Sequence, residues 1–284
     1  MLDALQDLVD LLDLEPIEVN IFRGTQPDED RQRVFGGQVA GQALVAAART
    51  VNEPGRLIHS LHAYFLRPGD PKVPILYEVD RIRDGRSFTT RRVVAIQHGR
   101  AIFNLAASFH EFEPGLDHHG EPPPDVPPPE SLPTFQERMA PYRDKVGDLL
   151  DRPRPIDIRH VPPDPILEPG VPAEGQIVWL RASDRLPDDP LLHACIITYA
   201  SDLSLLDTTL RPHGTSSLTQ NIMMASLDHS MLFHRPFRAD EWLLYVQRAV
   251  SNSGARGLAA GGVYTAEGRL AVTVMQEGLI RVLE

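Results

Sequence analysis

Residues 37–51 read Gly-Gln-Val-Ala-Gly-Gln-Ala-Leu-Val-Ala-Ala-Ala-Arg-Thr-Val. On a helical wheel Val39, Ala40, Ala43, Leu44, Ala46 and Ala47 spread around the circumference, so the stretch predicts a helix buried on most of its sides. Its residues are too small and too apolar for a surface stripe. Four strand-like runs follow at 57–67, 73–83, 87–97 and 100–112, separated by the turn signals Pro-Gly-Asp, Asp-Gly-Arg and His-Gly-Arg. A helix followed by an antiparallel meander is expected.

The order then recurs. An apolar segment at 191–210 precedes runs at 221–233, 241–250, 255–265 and 269–281. Residue identities support the duplication, because Phe65-Leu66-Arg67-Pro68 returns as Phe233-His234-Arg235-Pro236 and Leu76-Tyr77 as Leu244-Tyr245, at a spacing of 168. Gly99-Arg100 returns as Gly268-Arg269 at 169. A helix apolar on nearly all sides must be enclosed, and one curved antiparallel sheet wrapped around it does so. This is the hotdog arrangement, and two copies let the sheets join edge to edge and hide strand edges that each alone would expose. The expected fold is α+β: a double hotdog of two tandem repeats, each a long central helix in a curved antiparallel sheet.

A chain of 284 residues, at about 150 per domain, accommodates two such units. Proline marks the division, with 18 of 26 prolines between Pro114 and Pro190. Proline cannot pair in a central strand or continue a helix. Residues 1–113 are therefore expected to form the first repeat, 114–151 a proline-rich linker with a short helix near 135–150, and 152–284 the second repeat. The net charge of −11 argues against nonspecific attraction to nucleic acid or an anionic membrane. Cys195, the sole cysteine, excludes an intrachain disulfide and a thiolate metal cage, which fits a reducing, cytoplasmic setting. No run approaches the roughly 18 apolar residues of a membrane helix, and four aspartates in the first fifteen residues are unlike a secretory leader.

Several chemical signatures are absent: no Gly-Lys-Ser/Thr phosphate loop, no strand-bound G-x-G-x-x-G, no H-E-x-x-H and no G-x-S-x-G. The glycines of Phe35-Gly36-Gly37 with Gly41 are read as close packing of a helix. His59/His62, His118-His119 and His229/His234 lack a carboxylate at ligand spacing on one helical face, so no metal is expected. Asp228-His229-Ser230 has the composition of a catalytic triad. On a strand, however, His229 faces away from both neighbours, whereas a triad must converge. The arginines Arg81, Arg83, Arg86, Arg91 and Arg92 read as a solvated strand face, and Arg67 and Arg235, each before a proline, as structural.

Three polar groups interrupt apolar runs. Asp202 lies in Ile196–Leu206, where an unpaired carboxylate is costly. It implies a wet functional site, a neutralising partner or a cap at a helix break. Gln276 shares its strand face with Val272, Val274 and Ile280, and a buried amide wants partners. Ser226 is a small polar group in the strand Met223–Leu227, of the kind backbone commonly satisfies.

The runs Arg33–Gln38, Phe65–Asp70, Tyr199–Asp202, Asp228–Ser230, Phe233–Pro236, Glu241–Tyr245 and Gln276–Gly278 closely resemble the acyl-CoA thioesterase II family. The resemblance runs from about Leu11 to Glu284 and implies a double hotdog that hydrolyses fatty acyl-CoA to free acid and CoA, without a cofactor, as a homo-oligomer. By the same resemblance Asp202 matches the catalytic aspartate, Gln276 the glutamine, and Ser226 stands where the family carries threonine. Serine keeps the hydroxyl but lacks the methyl that restricts rotation. Asp202 would take a proton from water, Ser226 and Gln276 would hold that water, and helix-start N–H groups or Gln276 would meet the oxyanion. Spacing sets Phe35–Gln38 opposite Tyr199–Asp202 and Ile58 opposite Ser226, which predicts one competent site per chain. The alternatives are a hotdog hydratase, whose Gly-Asp, Asn-Pro and His motif is missing here, and a noncatalytic acyl-CoA-binding protein.

Overall fold

The computed structural model describes residues 2–27, 32–164, 166–168, 170–216 and 221–283. Helix α1 (Asp3–Leu12) and the short strands β1 (Glu15–Glu18) and β2 (Ile21–Gly24) lead into α2 (Gly36–Ala48), the apolar helix read from the sequence. Strands β3 (Arg56–Phe65), β4 (Ile75–Asp84), β5 (Phe88–Gln97) and β6 (Arg100–Glu111) follow. The meander holds only from β4 to β6, because β3 pairs with β6 and not with β4. Residues 66–74 carry the chain from one side of this group to the other. The sheet order β4-β5-β6-β3 curves around α2, whose Ala43, Leu44, Ala46 and Ala47 have no exposed surface.

After short helices α3 (Phe135–Met139) and α4 (Arg143–Val146) come β7 (Ile156–His160), β8 (Gly175–Ala182) and α5 (Pro190–Ser201). The sequence starts α5 firmly: Pro190 occupies the first turn and the Asp189 carboxylate accepts the Leu191 N–H at 2.9 Å. The apolar stretch to Leu210 is not one helix. It breaks at Asp202 and resumes as a 3-10 stretch, Leu206–His213. The expected strand 221–233 is likewise split at Leu227 into β9 (Ile222–Ser226) and β10 (Asp228–Phe233), and β11 (Leu243–Ser253), β12 (Arg256–Tyr264) and β13 (Leu270–Val282) complete the fold.

Among the described residues one thirteen-stranded sheet results, ordered β1-β2-β4-β5-β6-β3-β10-β13-β12-β11-β8-β7, with β9 on β13. Its two halves meet where β10 pairs antiparallel with β3, so neither exposes that edge. The repeated motifs make the same bonds. The N–H groups of Leu66 and Arg67 both reach the Ile102 carbonyl, and those of His234 and Arg235 both reach that of Ala271. Tyr77 and Tyr245 are both fully buried, though the Tyr77 hydroxyl donates to Gln42 Oε1 at 2.7 Å while that of Tyr245 has no partner among the described residues.

The two central helices lie against each other antiparallel. A Cβ on Gly41 would stand 3.5 Å from the Cys195 carbonyl oxygen, and one on Gly37 would collide with that of Tyr199. Contact thus moves back along α5 as it moves forward along α2. At Gly37 the approach is closer than any side chain permits, which accounts for glycine there. The linker does not hang free: the indole N–H groups of Trp179 and Trp242 donate to the Pro127 carbonyl and the Glu130 carboxylate, each at 3.0 Å, and Arg138 forms a buried ion pair with Asp164.

Candidate active site

A cavity of about 760 Å³ opens between the halves, with Gly36, Phe65 and Phe103 on one wall and Asp202, Leu206 and Ser226 on the other. The break that ends α5 leaves Asp202 at its last turn, where the antiparallel packing brings it against the start of α2. There the Gly37 N–H donates to the Asp202 carboxylate. First-turn N–H groups have no partner within their helix and carry the positive end of its dipole, so this contact favours the anion. Burial opposes it more strongly, and the Asp202 carboxyl is pushed up to about 6.

The three polar groups singled out from the sequence converge. Gln276 Nε2 donates to Asp202 Oδ1 at 2.6 Å and to Ser226 Oγ at 3.0 Å, and the Ser226 hydroxyl also bonds Asp202. Pairing of β13 with β9 sets Ser226 directly across from Gly278, two residues from Gln276. The amide N–H groups of Gln276 are therefore committed, while its Oε1, fully buried, has no partner among the described residues. Asp207 lies on the same cavity wall, exposed to it, and the surrounding protein raises its carboxyl above the usual aspartate range. The sequence reading missed both Asp207 and the Gly37 N–H. Asp207 could have been noticed as a second acid five residues on; the Gly37 contact has no local signal.

The remaining candidates go elsewhere. His229 points into the core, 2.9 Å from Ser201 Oγ, and burial lowers it to about 4. Asp228 accepts the Glu277 N–H at 2.7 Å, and Ser230 Oγ lies 3.2 Å from His62 Nδ1, so that trio diverges as strand alternation requires. His59 bonds Ser108, His234 bonds Thr273, and the His118 carbonyl accepts from Arg235. Among the described residues no three His, Cys, Asp or Glu side chains gather around a possible metal position.

Two expectations need correction. Arg91 is not part of a solvated face: it is fully buried, donating through Nε to Thr50 Oγ1 at 2.8 Å and through Nη2 to the Thr50 carbonyl at 3.0 Å, just past the end of α2. Alternation puts it on the inward face with Val93 and Ala95, whereas Arg92 turns outward to Asp80. Nor is Phe35–Gln38 the counterpart of Tyr199–Asp202. The helices do not keep the strand spacing; Gly36 starts α2 while Ser201 ends α5, and the two ends are contacting partners.

A family model described as acyl-CoA thioesterase matches residues 160–279, and one described as the acyl-CoA thioesterase N-terminal domain matches 25–110. The human protein named acyl-coenzyme A thioesterase 8 is 42% identical over 286 residues, covering 96% of this chain and 88% of its own length. The chain belongs to the acyl-CoA thioesterase family. Among solved structures, the acyl-CoA thioesterase II TesB2 of Mycobacterium marinum is 45% identical with a TM-score of 0.80, covering 98% of this thioesterase and 99% of its own chain. A protein of Alicyclobacillus acidocaldarius described as having a hotdog fold reaches a TM-score of 0.78 at 20% identity, covering 98% and 99%, which identifies the fold. No described helix of this thioesterase is long and apolar enough to cross a membrane.

Proposed function

We propose that this thioesterase hydrolyses fatty acyl-CoA to free acid and CoA, with Asp202 as general base and Ser226 and Gln276 positioning the water. The observation that carries the reading is the ring of hydrogen bonds among those side chains at the wall of a largely apolar cavity. A base near 6 is mostly ionised at neutral pH yet basic enough to accept a proton. Water adds to the thioester carbonyl and passes its proton to Asp202. The oxyanion is met by first-turn N–H groups of α2 other than that of Gly37, since the Gly37 and Gln276 N–H groups are engaged. Collapse breaks the carbon–sulfur bond, and protonated Asp202 returns its proton to the leaving sulfur.

The reading includes a tandem duplication, the double hotdog, with repeats at 1–113 and 152–284 joined by 114–151. Supporting it are the matched backbone bonds of the Arg67 and Arg235 corners and the matched ladders. Ile58 opposite Phe109 corresponds to Ser226 opposite Gly278, and Arg91 opposite Ala107 to Ala259 opposite Gln276. The first repeat has neither hydroxyl nor amide at the matching points, and the buried Arg91 stands opposite Ala107 there. One competent site per chain follows. A cytoplasmic homo-oligomer belongs to the same proposal; the buried free thiol of Cys195 is consistent with the compartment.

The test is thiol release from a chain-length series of acyl-CoAs, with Asp202→Asn as control. Release at constant double-bond absorbance is expected. Saturable binding without thiol, or a change in double-bond absorbance alone, would overturn the proposal.

A further inference from the structure

Arg67 and Arg235 occupy matching corners of the two halves and are held alike by backbone. Arg67 Nη1 donates to the Ala101 carbonyl at 2.6 Å, and Arg235 Nη1 to that of Leu270 at 2.8 Å. Their second Nη groups differ. Arg235 Nη2 holds the Asp117 carboxylate and, at 3.1 Å, the His118 carbonyl, both from the linker. The hydrogen bond from Arg235 keeps the Asp117 carboxyl below its usual range. Among the described residues Arg67 Nη2 has no carboxylate partner, and the side chain is exposed on the wall of the cavity.

The surroundings differ in the same sense. Gly268, beside the Arg235 corner, would place a Cβ 3.5 Å from Pro123, so the linker covers that corner. Among the described residues, a Cβ on its counterpart Gly99 would meet nothing within 4 Å. Among the described residues, the chain thus supplies an anion to one arginine and none to the other, which lines the candidate site. A chain of net charge −11 must hold any phosphate-bearing ligand by such local cations.

We infer that Arg67 is a binding residue for a phosphate of the CoA moiety, taken on the Nη2 donor that Asp117 occupies at Arg235. The inference rests on the acyl-CoA reading above. The carbonyl of Ala101 fixes the guanidinium plane, so the exposed edge meets phosphate preorganised, and Arg suits that role through its rigid fork of donors. Phe65, whose ring would contact a Cβ at Gly36 beside Asp202, lies two residues before Arg67, and both line the same cavity.

The experiment compares an acyl-CoA with the same acyl group on N-acetylcysteamine, which has the thioester but no phosphate. Arg67→Gln keeps a donor for Ala101 and removes the charge; Arg67→Lys restores the charge without the fork. We expect Arg67→Gln to lower the ratio of kcat/KM for the CoA ester to that for the truncated ester about tenfold, through KM, with Arg67→Lys between the two. The wild-type ratio should fall with added salt and the Arg67→Gln ratio should not. An unchanged ratio in Arg67→Gln, whether both esters are affected equally or neither is, would overturn the inference. Calorimetric titration of free CoA into Asp202→Asn and Asp202→Asn/Arg67→Gln proteins reads the same contact without turnover. Equal affinities there would sink the arginine alone, whereas tight CoA binding with no hydrolysis by wild type would sink the catalytic reading alone.

Discussion

Gln276 Nε2 reaches Asp202 Oδ1 across 2.6 Å, tying the last strand of the sheet to the residue that ends α5. The carboxylate is held from three directions, by an amide, a hydroxyl and a helix-start N–H, so its position does not depend on substrate.

Asp202→Asn should fold as wild type and lose on the order of 10² to 10⁴ in kcat, the usual scale for a positioned base. Thiol release measured beside a thermal melt checks this. Near-normal turnover in a folded variant would remove Asp202 from the chemistry.

The value near 6 gives a pH limb. Activity requires ionised Asp202, so kcat/KM should fall as pH drops through about 6. Because Asp207 repels that charge and raises Asp202, Asp207→Asn should move the limb to lower pH. Movement to higher pH, or no movement, would contradict the coupling.

Stability carries the opposite sign. An exposed aspartate titrates near 3.9, so the folded protein binds the Asp202 proton more tightly than the unfolded chain does. That contribution is complete below about pH 4 and is lost as pH rises through about 6. The Tm of Asp202→Asn should therefore gain on wild type between pH 4.5 and pH 8. A constant difference over that range would show no linked proton.

Ser226→Ala should reduce kcat roughly 5- to 30-fold, the kinetic equivalent of one hydrogen bond of about 1–2 kcal/mol. Ser226→Thr, which keeps the hydroxyl, should stay within a few fold of wild type. Equal loss in both variants would point to packing.

Gly37→Ala forces a Cβ against the Tyr199 carbonyl oxygen and must push the helices apart, an overpacking cost of about 1–3 kcal/mol. At Gly41 the nearest atom is instead a side-chain end, Leu12 Cδ2, at 2.8 Å, and not backbone. Chemical denaturation should find Gly37→Ala the less stable variant. The reverse order would show that this helix contact can relax.

Much of this was legible locally. Small apolar residues around the α2 wheel announced an enclosed helix, and matched motifs at one spacing announced two similar halves. Asp202 and Gln276 declared themselves as polar groups in apolar runs, because burying such groups without partners is costly. Ser226 stood out as a third polar group in an apolar strand, but a strand serine is commonly satisfied by backbone, and only the family resemblance gave it a role. Arg91 could have been placed inside by alternation with Val93 and Ala95, had its charge not argued for solvent.

Periodicity and composition fix what each segment buries, and so the sequence by itself determined two enclosed helices, their strands and the misfit polar groups. The pairing of β3 with β6, the docking of the linker and the meeting of Gly37 with Asp202 were decided only by tertiary structure. Each joins segments whose own patterns are satisfied by many partners, and the choice is made by how two antiparallel helices and one continuous sheet pack at once.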